Sequence, residues 1–147
     1  MHVPCVRAFL AVVLLGGLYA APTSAATRNF IAVLNAGQEA QPTPVDSDAL
    51  GVAFLTFDDK TLKLCYSISF TSLTTAETLA HLHGPAAPGT SVGVIVGLTP
   101  VPGNPKNGCV TLPSKNKKDL KRGMTYLNIH TMRFGAGEIR GQVIPVK

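Results

Sequence analysis

Three histidines carry the chemistry this sequence suggests first. Two lie in Ala80-His81-Leu82-His83-Gly84 and the third in Asn128-Ile129-His130-Thr131. On an extended strand His81 and His83 point to one side and Leu82 to the other, which is a chelating geometry. Imidazole nitrogen suits copper, zinc, nickel and iron. A His-x-His pair joined by a histidine from a neighbouring strand makes a three-nitrogen site with an open position. Copper outranks zinc at equal geometry and is the cofactor expected. The competing reading is that the imidazoles only hydrogen-bond to strand ends and loops.

The residues around His130 extend the pattern. If Leu127 and Ile129 face a core, Tyr126, Asn128 and His130 face outward. In the next strand Glu138, Arg140 and Gln142 take the outward side opposite Ile139, Gly141 and Val143. Glu138 either adds an oxygen to the metal or pairs with a nearby cation. Met132 offers a sulfur for Cu(I) or simply packs. Arg140 is a neighbour of the metal and an attractor of anions, since its guanidinium stays charged. Nucleophilic and paired-acid chemistry find no support: no serine sits in a nucleophile elbow, and Asp58 and Asp59 read as turn residues.

Strands must position these side chains, and period-two patterns dominate the chain. Leu62, Leu64, Tyr66, Ile68 and Phe70 alternate with polar residues, giving one core face. The run 51–57 precedes it, with Asp58-Asp59-Lys60 as a hairpin turn between the two. Further strands are expected at 29–34, 79–83, 92–98, 109–112, 125–130 and 138–146. About eight strands with Pro- and Gly-rich connections predict an all-β fold, an antiparallel β-sandwich or Greek-key barrel. Its core is expected to hold the Leu62 to Phe70 set with Phe30, Leu34, Phe54, Ile139 and Val143. Only 114–122 reads as helical, with Ser114 as N-cap and Gly123 as stop. It carries Lys115, Lys117, Lys118, Lys121 and Arg122, either a solvated face or a polyanion contact.

The chain has 147 residues, of which 46% are hydrophobic and 14% charged, enough to build one ordinary domain and no second of normal size. Residues 1–26 read as a secretory signal: Arg7, then an apolar run of roughly 13 residues, then Thr23-Ser24-Ala25-Ala26, with cleavage after Ala25 or Ala26. That run is shorter than a membrane-spanning helix needs, and no later stretch replaces it, so no membrane span is expected after signal removal. Cys5 and His2 leave with the signal. Cys65 and Cys109 remain, in a chain bound for an oxidising compartment, where a disulfide is the default and two metal-binding thiolates the alternative. The net charge of +5, with no Trp and 6% aromatic residues, offers little stacking platform for nucleic acid.

Five blocks, taken in order, resemble one family. They are Phe30-x-Ala32-x-Leu34-x-Ala36-Gly37-x-Glu39, Gly51, Ala80-His81-Leu82-His83-Gly84-Pro85-Ala86, Gly123-x-x-Tyr126-Leu127-Asn128-Ile129-His130-Thr131 and Gly137-Glu138-Ile139-Arg140-Gly141-Gln142-Val143. Together they are similar to the CHRD domain, here 27–147. The resemblance implies a secreted or cell-surface β-domain without a firmly assigned biochemical activity. The site alone is also similar to that of copper-zinc and copper-only superoxide dismutases. That likeness implies His81, His83 and His130 as copper ligands, Arg140 as the anion guide, and a superoxide-dismutase-like or immunoglobulin-like fold. The dismutase pattern has further histidines, in a long loop, that this chain lacks. The expectation is therefore a secreted or periplasmic, non-catalytic binding module with copper on three histidines. Its partner would be an extracellular or periplasmic protein or a polyanion. A dismutase-like copper oxidoreductase is the alternative.

Overall fold

The computed structural model describes residues 27–147. The signal read at 1–26 lies outside the described residues. Among the described residues nine strands, all antiparallel, form one sheet: β1 (Thr27–Asn35), β2 (Leu50–Asp58), β3 (Lys63–Thr71), β4 (Glu77–His83), β5 (Val94–Gly97), β6 (Lys106–Thr111), β7 (Tyr126–Thr131), β8 (Ile139–Gln142) and β9 (Ile144–Pro145). Their hydrogen-bonded order is β5-β4-β7-β8-β1-β2-β3-β6, with β9 paired to β1.

The sheet is rolled nearly into a barrel, because one face of almost every strand is apolar and must leave water together. Phe30, Ala32 and Leu34 of β1 meet Leu55 and Phe57 of β2, Leu64, Tyr66 and Ile68 of β3, Leu82 of β4, Leu127 and Ile129 of β7, and Ile139 of β8 in one buried cluster. The β2–β3 hairpin pairs over its whole length, from Leu50↔Thr71 to Asp58↔Lys63. Asp58 Oδ1 accepts from the Lys60 and Thr61 amides, the turn role its sequence position implied.

The alternation of β3 holds at Leu64, Tyr66 and Ile68; Leu62, in the preceding turn, and Phe70 are partly buried against the same core. Phe54 is a correction: it is 60% exposed. Both parities of β2 are apolar, and Leu55 and Phe57 take the inward one. Ala53 therefore goes inside and Phe54 outside, opposite Ile31. The run 138–146 is two strands. Its break is Val143, buried, whose amide donates to Thr125 O between the β8 and β9 ladders.

The edge strands β5 and β6 do not pair with each other, and side chains close the gap. Lys106 of β6 and Glu77 of β4 form an ion pair of 2.7 Å, with side chains 0% and 2% exposed. Lys106 Nζ also donates to Pro100 O, and the Gly103 amide donates to Glu77 Oε2. Nearby, the Tyr66 hydroxyl donates to Thr99 O (2.8 Å) and accepts from Thr99 N (2.9 Å). Gly108 makes that approach possible, since a Cβ there would fall 2.8 Å from Thr99 O.

The segment 114–122 is a 3-10 turn (Ser114–Asn116) followed by a single-turn helix α1 (Lys117–Lys121) that buries Leu120. Ser114 does not cap it; the N-cap position is Pro113, without a side-chain bond. Gly123, at φ +72°, ends it. Part of its positive charge is already answered: Lys117 and Lys121, with Arg28, converge on Asp59.

Cys65 and Cys109 are joined in a disulfide. They stand directly opposite each other on β3 and the edge strand β6, with Cys65 on the side of β3 away from the buried Leu64 and Tyr66.

Candidate metal centre

Strand register brings the three histidines together. In the β4–β7 ladder His81 lies opposite Asn128, His83 opposite Tyr126 and Leu79 opposite His130. All three imidazoles thus rise from one face, while Ala80, Leu82, Leu127 and Ile129 point into the core. Ring centroids are 4.8 Å apart for His81 and His130, 5.5 Å for His81 and His83, and 6.2 Å for His83 and His130. One nitrogen from each can be chosen so that all lie within 4.8 Å of one another. Among the described residues, this is where three metal-ligating side chains gather.

Backbone carbonyls fix two of the tautomers. His83 Nδ1 donates to Val92 O (2.9 Å) and His130 Nδ1 to Gly135 O (3.1 Å), because a carbonyl only accepts. Both rings therefore present an Nε2 lone pair, which is how metal-binding histidines are held. His83 Nε2 is buried without a partner. His130 Nε2 accepts from His81 Nδ1 at 3.0 Å. Burial lowers all three pKa values, with crowding by His130 and His83 helping to bring His81 to about 4. Lowered pKa values favour the neutral imidazole, the form in which a histidine can act as a ligand.

The face read as outward is in fact a second, polar interior. Tyr126, Asn128 and His130 are buried, as are Glu138, Arg140 and Gln142. The segments that follow β1, β4 and α1 help to cover them: Gln142 N reaches Gln38 Oε1 at 3.4 Å, Gln142 Nε2 donates to Ala86 O and Gly123 O, and Arg140 Nη2 reaches Ala87 O at 3.4 Å.

Glu138 has no free oxygen for a metal. Its carboxylate accepts from Ser47 Oγ, Thr74 N, Thr74 Oγ1 and Thr131 Oγ1. These bonds lower its pKa against the opposing effect of burial. Met132 is 75% exposed. Arg140 is 1% exposed and does not present its charge to solvent; its guanidinium carbon lies 3.6 Å over the Tyr126 ring. The Tyr126 ring stacks in turn on His83, with centroids 4.7 Å apart and planes 6° from parallel. Asn128 Nδ2 reaches Glu39 Oε2 at 3.5 Å and does not join the histidines.

Glu39 was not singled out as a site residue by sequence reasoning, although it ends the first of the five blocks, just past the 3-10 turn that follows β1. Burial pushes its carboxyl up to about 7, against the opposing effects of Gln41, Arg140 and Asn128. Gly137 leaves it room, since a Cβ there would lie 2.7 Å from Glu39 Oε1, and its φ of +131° also favours glycine. Because the folded pKa is above the ordinary 4.5, this carboxyl stabilises the fold fully below pH 4.5, and that contribution is lost as pH rises through 7. Glu39→Gln is therefore expected to have a melting temperature that gains on the wild type between pH 5 and pH 8. A pH-independent difference in thermal melts would contradict this.

Neither a curated protein nor a solved structure matches the chain. The family model of the CHRD domain matches residues 30–143, which runs from within β1 to the end of β8 and takes in all three histidines. The chain belongs to the CHRD domain family.

Proposed function

We propose that the protein is an exported, non-catalytic binding module that holds one copper ion between His81, His83 and His130. The observation that carries this reading is the set of three neutral imidazoles with ligand nitrogens within 4.8 Å, two of them with the opposite nitrogen tied to a backbone carbonyl. Such a donor set takes copper ahead of zinc, and the hard cations poorly. Export is supported by the signal-like residues 1–26 and by the Cys65–Cys109 disulfide, which suits an oxidising compartment. Among the described residues no helix is long and apolar enough to cross a membrane. The partner of the module would be an extracellular or periplasmic protein or polyanion.

Copper titration of the exported protein, which on this reading has lost His2, tests the site. His83→Ala is expected to weaken binding by about a hundred-fold or more, since removing even a supporting residue typically costs 10–100-fold. Equal affinity in variant and wild type would assign the histidines to structure alone. A superoxide-consumption assay on the copper-loaded protein separates the module from an oxidoreductase. The expected rate is no higher than that of free aqueous copper.

A further inference from the structure

We propose that Arg140 biases the three-histidine site toward copper in the Cu(I) state, acting through the stack His83–Tyr126–Arg140. The inference rests on the copper reading above and concerns which oxidation state the site prefers.

Strands β4 and β8 flank β7, so His83 and Arg140 approach the Tyr126 ring from its two sides. The imidazole is 4.7 Å from the ring centroid and the guanidinium carbon 3.6 Å. Tyr126 is itself held, its hydroxyl donating to Val92 O and accepting from Val92 N, and Val92 O is also the acceptor for His83 Nδ1. The three groups are therefore stacked, with His83 and Tyr126 tied to each other through Val92.

A fixed positive charge opposes Cu(II) more than Cu(I), because each unit of metal charge adds the same repulsion. The ligands do nothing to offset it. All three are neutral imidazoles, and the Glu138 carboxylate is committed to Ser47, Thr74 and Thr131. Arg140 is too deeply buried for water to screen it fully. Glu39 is the carboxyl that faces Arg140, and its raised pKa leaves it largely protonated below neutrality. At a separation of about 8–10 Å and an effective dielectric of about 20, the extra unit of charge shifts the Cu(I)/Cu(II) affinity ratio by roughly ten- to thirty-fold.

The test compares wild type, Arg140→Gln and Glu39→Gln. Cu(I) affinity is measured anaerobically against bathocuproine disulfonate, and Cu(II) affinity against nitrilotriacetate. At pH 6, Arg140→Gln is expected to move the affinity ratio about ten-fold or more toward Cu(II). Glu39→Gln, which removes a negative charge only where Glu39 is ionised, is expected to leave the ratio unchanged at pH 6 and to move it toward Cu(I) at pH 8. Equal weakening of both affinities by Arg140→Gln would make Arg140 merely structural and overturn the proposal. If that variant does not fold, an unchanged ratio in Glu39→Gln at pH 8 overturns it. A wild type that takes up neither ion fails earlier, at the copper reading itself.

Discussion

Lys106→Ala is expected to lower the unfolding free energy by about 3–5 kcal/mol, the usual cost of breaking a buried ion pair by removing one partner. Lys106 is 0% exposed, and its ammonium is placed by Glu77 and by Pro100 O. Without it the Glu77 carboxylate, 2% exposed, keeps one donor from Gly103 and loses its countercharge. The loss also removes a side-chain link between β6 and β4, which no backbone ladder joins. The double variant Lys106→Met/Glu77→Leu separates the two effects. Apolar replacement of both partners leaves no stranded charge, so most of the loss should be recovered. Urea unfolding of the three proteins measures this. A single variant within 1 kcal/mol of wild type would show that water already reaches the pair.

The second large effect is expected from the disulfide. Cys65 and Cys109 are 44 residues apart in sequence, and closing a loop of that length restricts the unfolded chain by roughly 4 kcal/mol. The bond ties β3 to β6, an edge strand held on its other side by side chains alone. Replacing both cysteines by serine should therefore destabilise the fold by a comparable amount. The replacement should leave copper affinity unchanged, because the histidines lie on β4 and β7. Denaturant melts with parallel copper titrations check both halves. A Cys65→Ser/Cys109→Ser protein as stable as wild type would refute the first half, and one that had lost the metal would refute the second.

The sequence was legible wherever one face of a strand was apolar and the other polar. Leu64, Tyr66 and Ile68, and likewise Leu127 and Ile129, declared their direction by alternation, and that same alternation placed His81 and His83 on one side. It failed at Phe54, where both faces of β2 are apolar and only pairing with β1 and β3 decides which enters the core. It also had no means of seeing what covers a polar face. Asn128, Glu138, Arg140 and Gln142 read as exposed because their types are polar. Segments distant in sequence, 36–41 and 84–92, pack over that face and turn it into an interior. The Lys106–Glu77 pair was invisible for the same reason: nothing in the local sequence of either residue shows that the rolling of the sheet brings β4 and β6 together.

The pairing of β9 with β1 has a consequence for attachment. Val146 N donates to Asn29 O, and Phe30 lies opposite Pro145, so the first described residues and the last run side by side. The histidine face adjoins the far end of β1, where Asn35 lies opposite Arg140 and Arg140 opposite Asn128. From Thr27 to Asn35 is about 25 Å of strand. The domain is thus polar in the geographic sense, with Asn29 and Val146 toward one pole and the imidazoles toward the other. Whatever it is tied to by either terminus, a tethered copy holds its histidines away from the anchor.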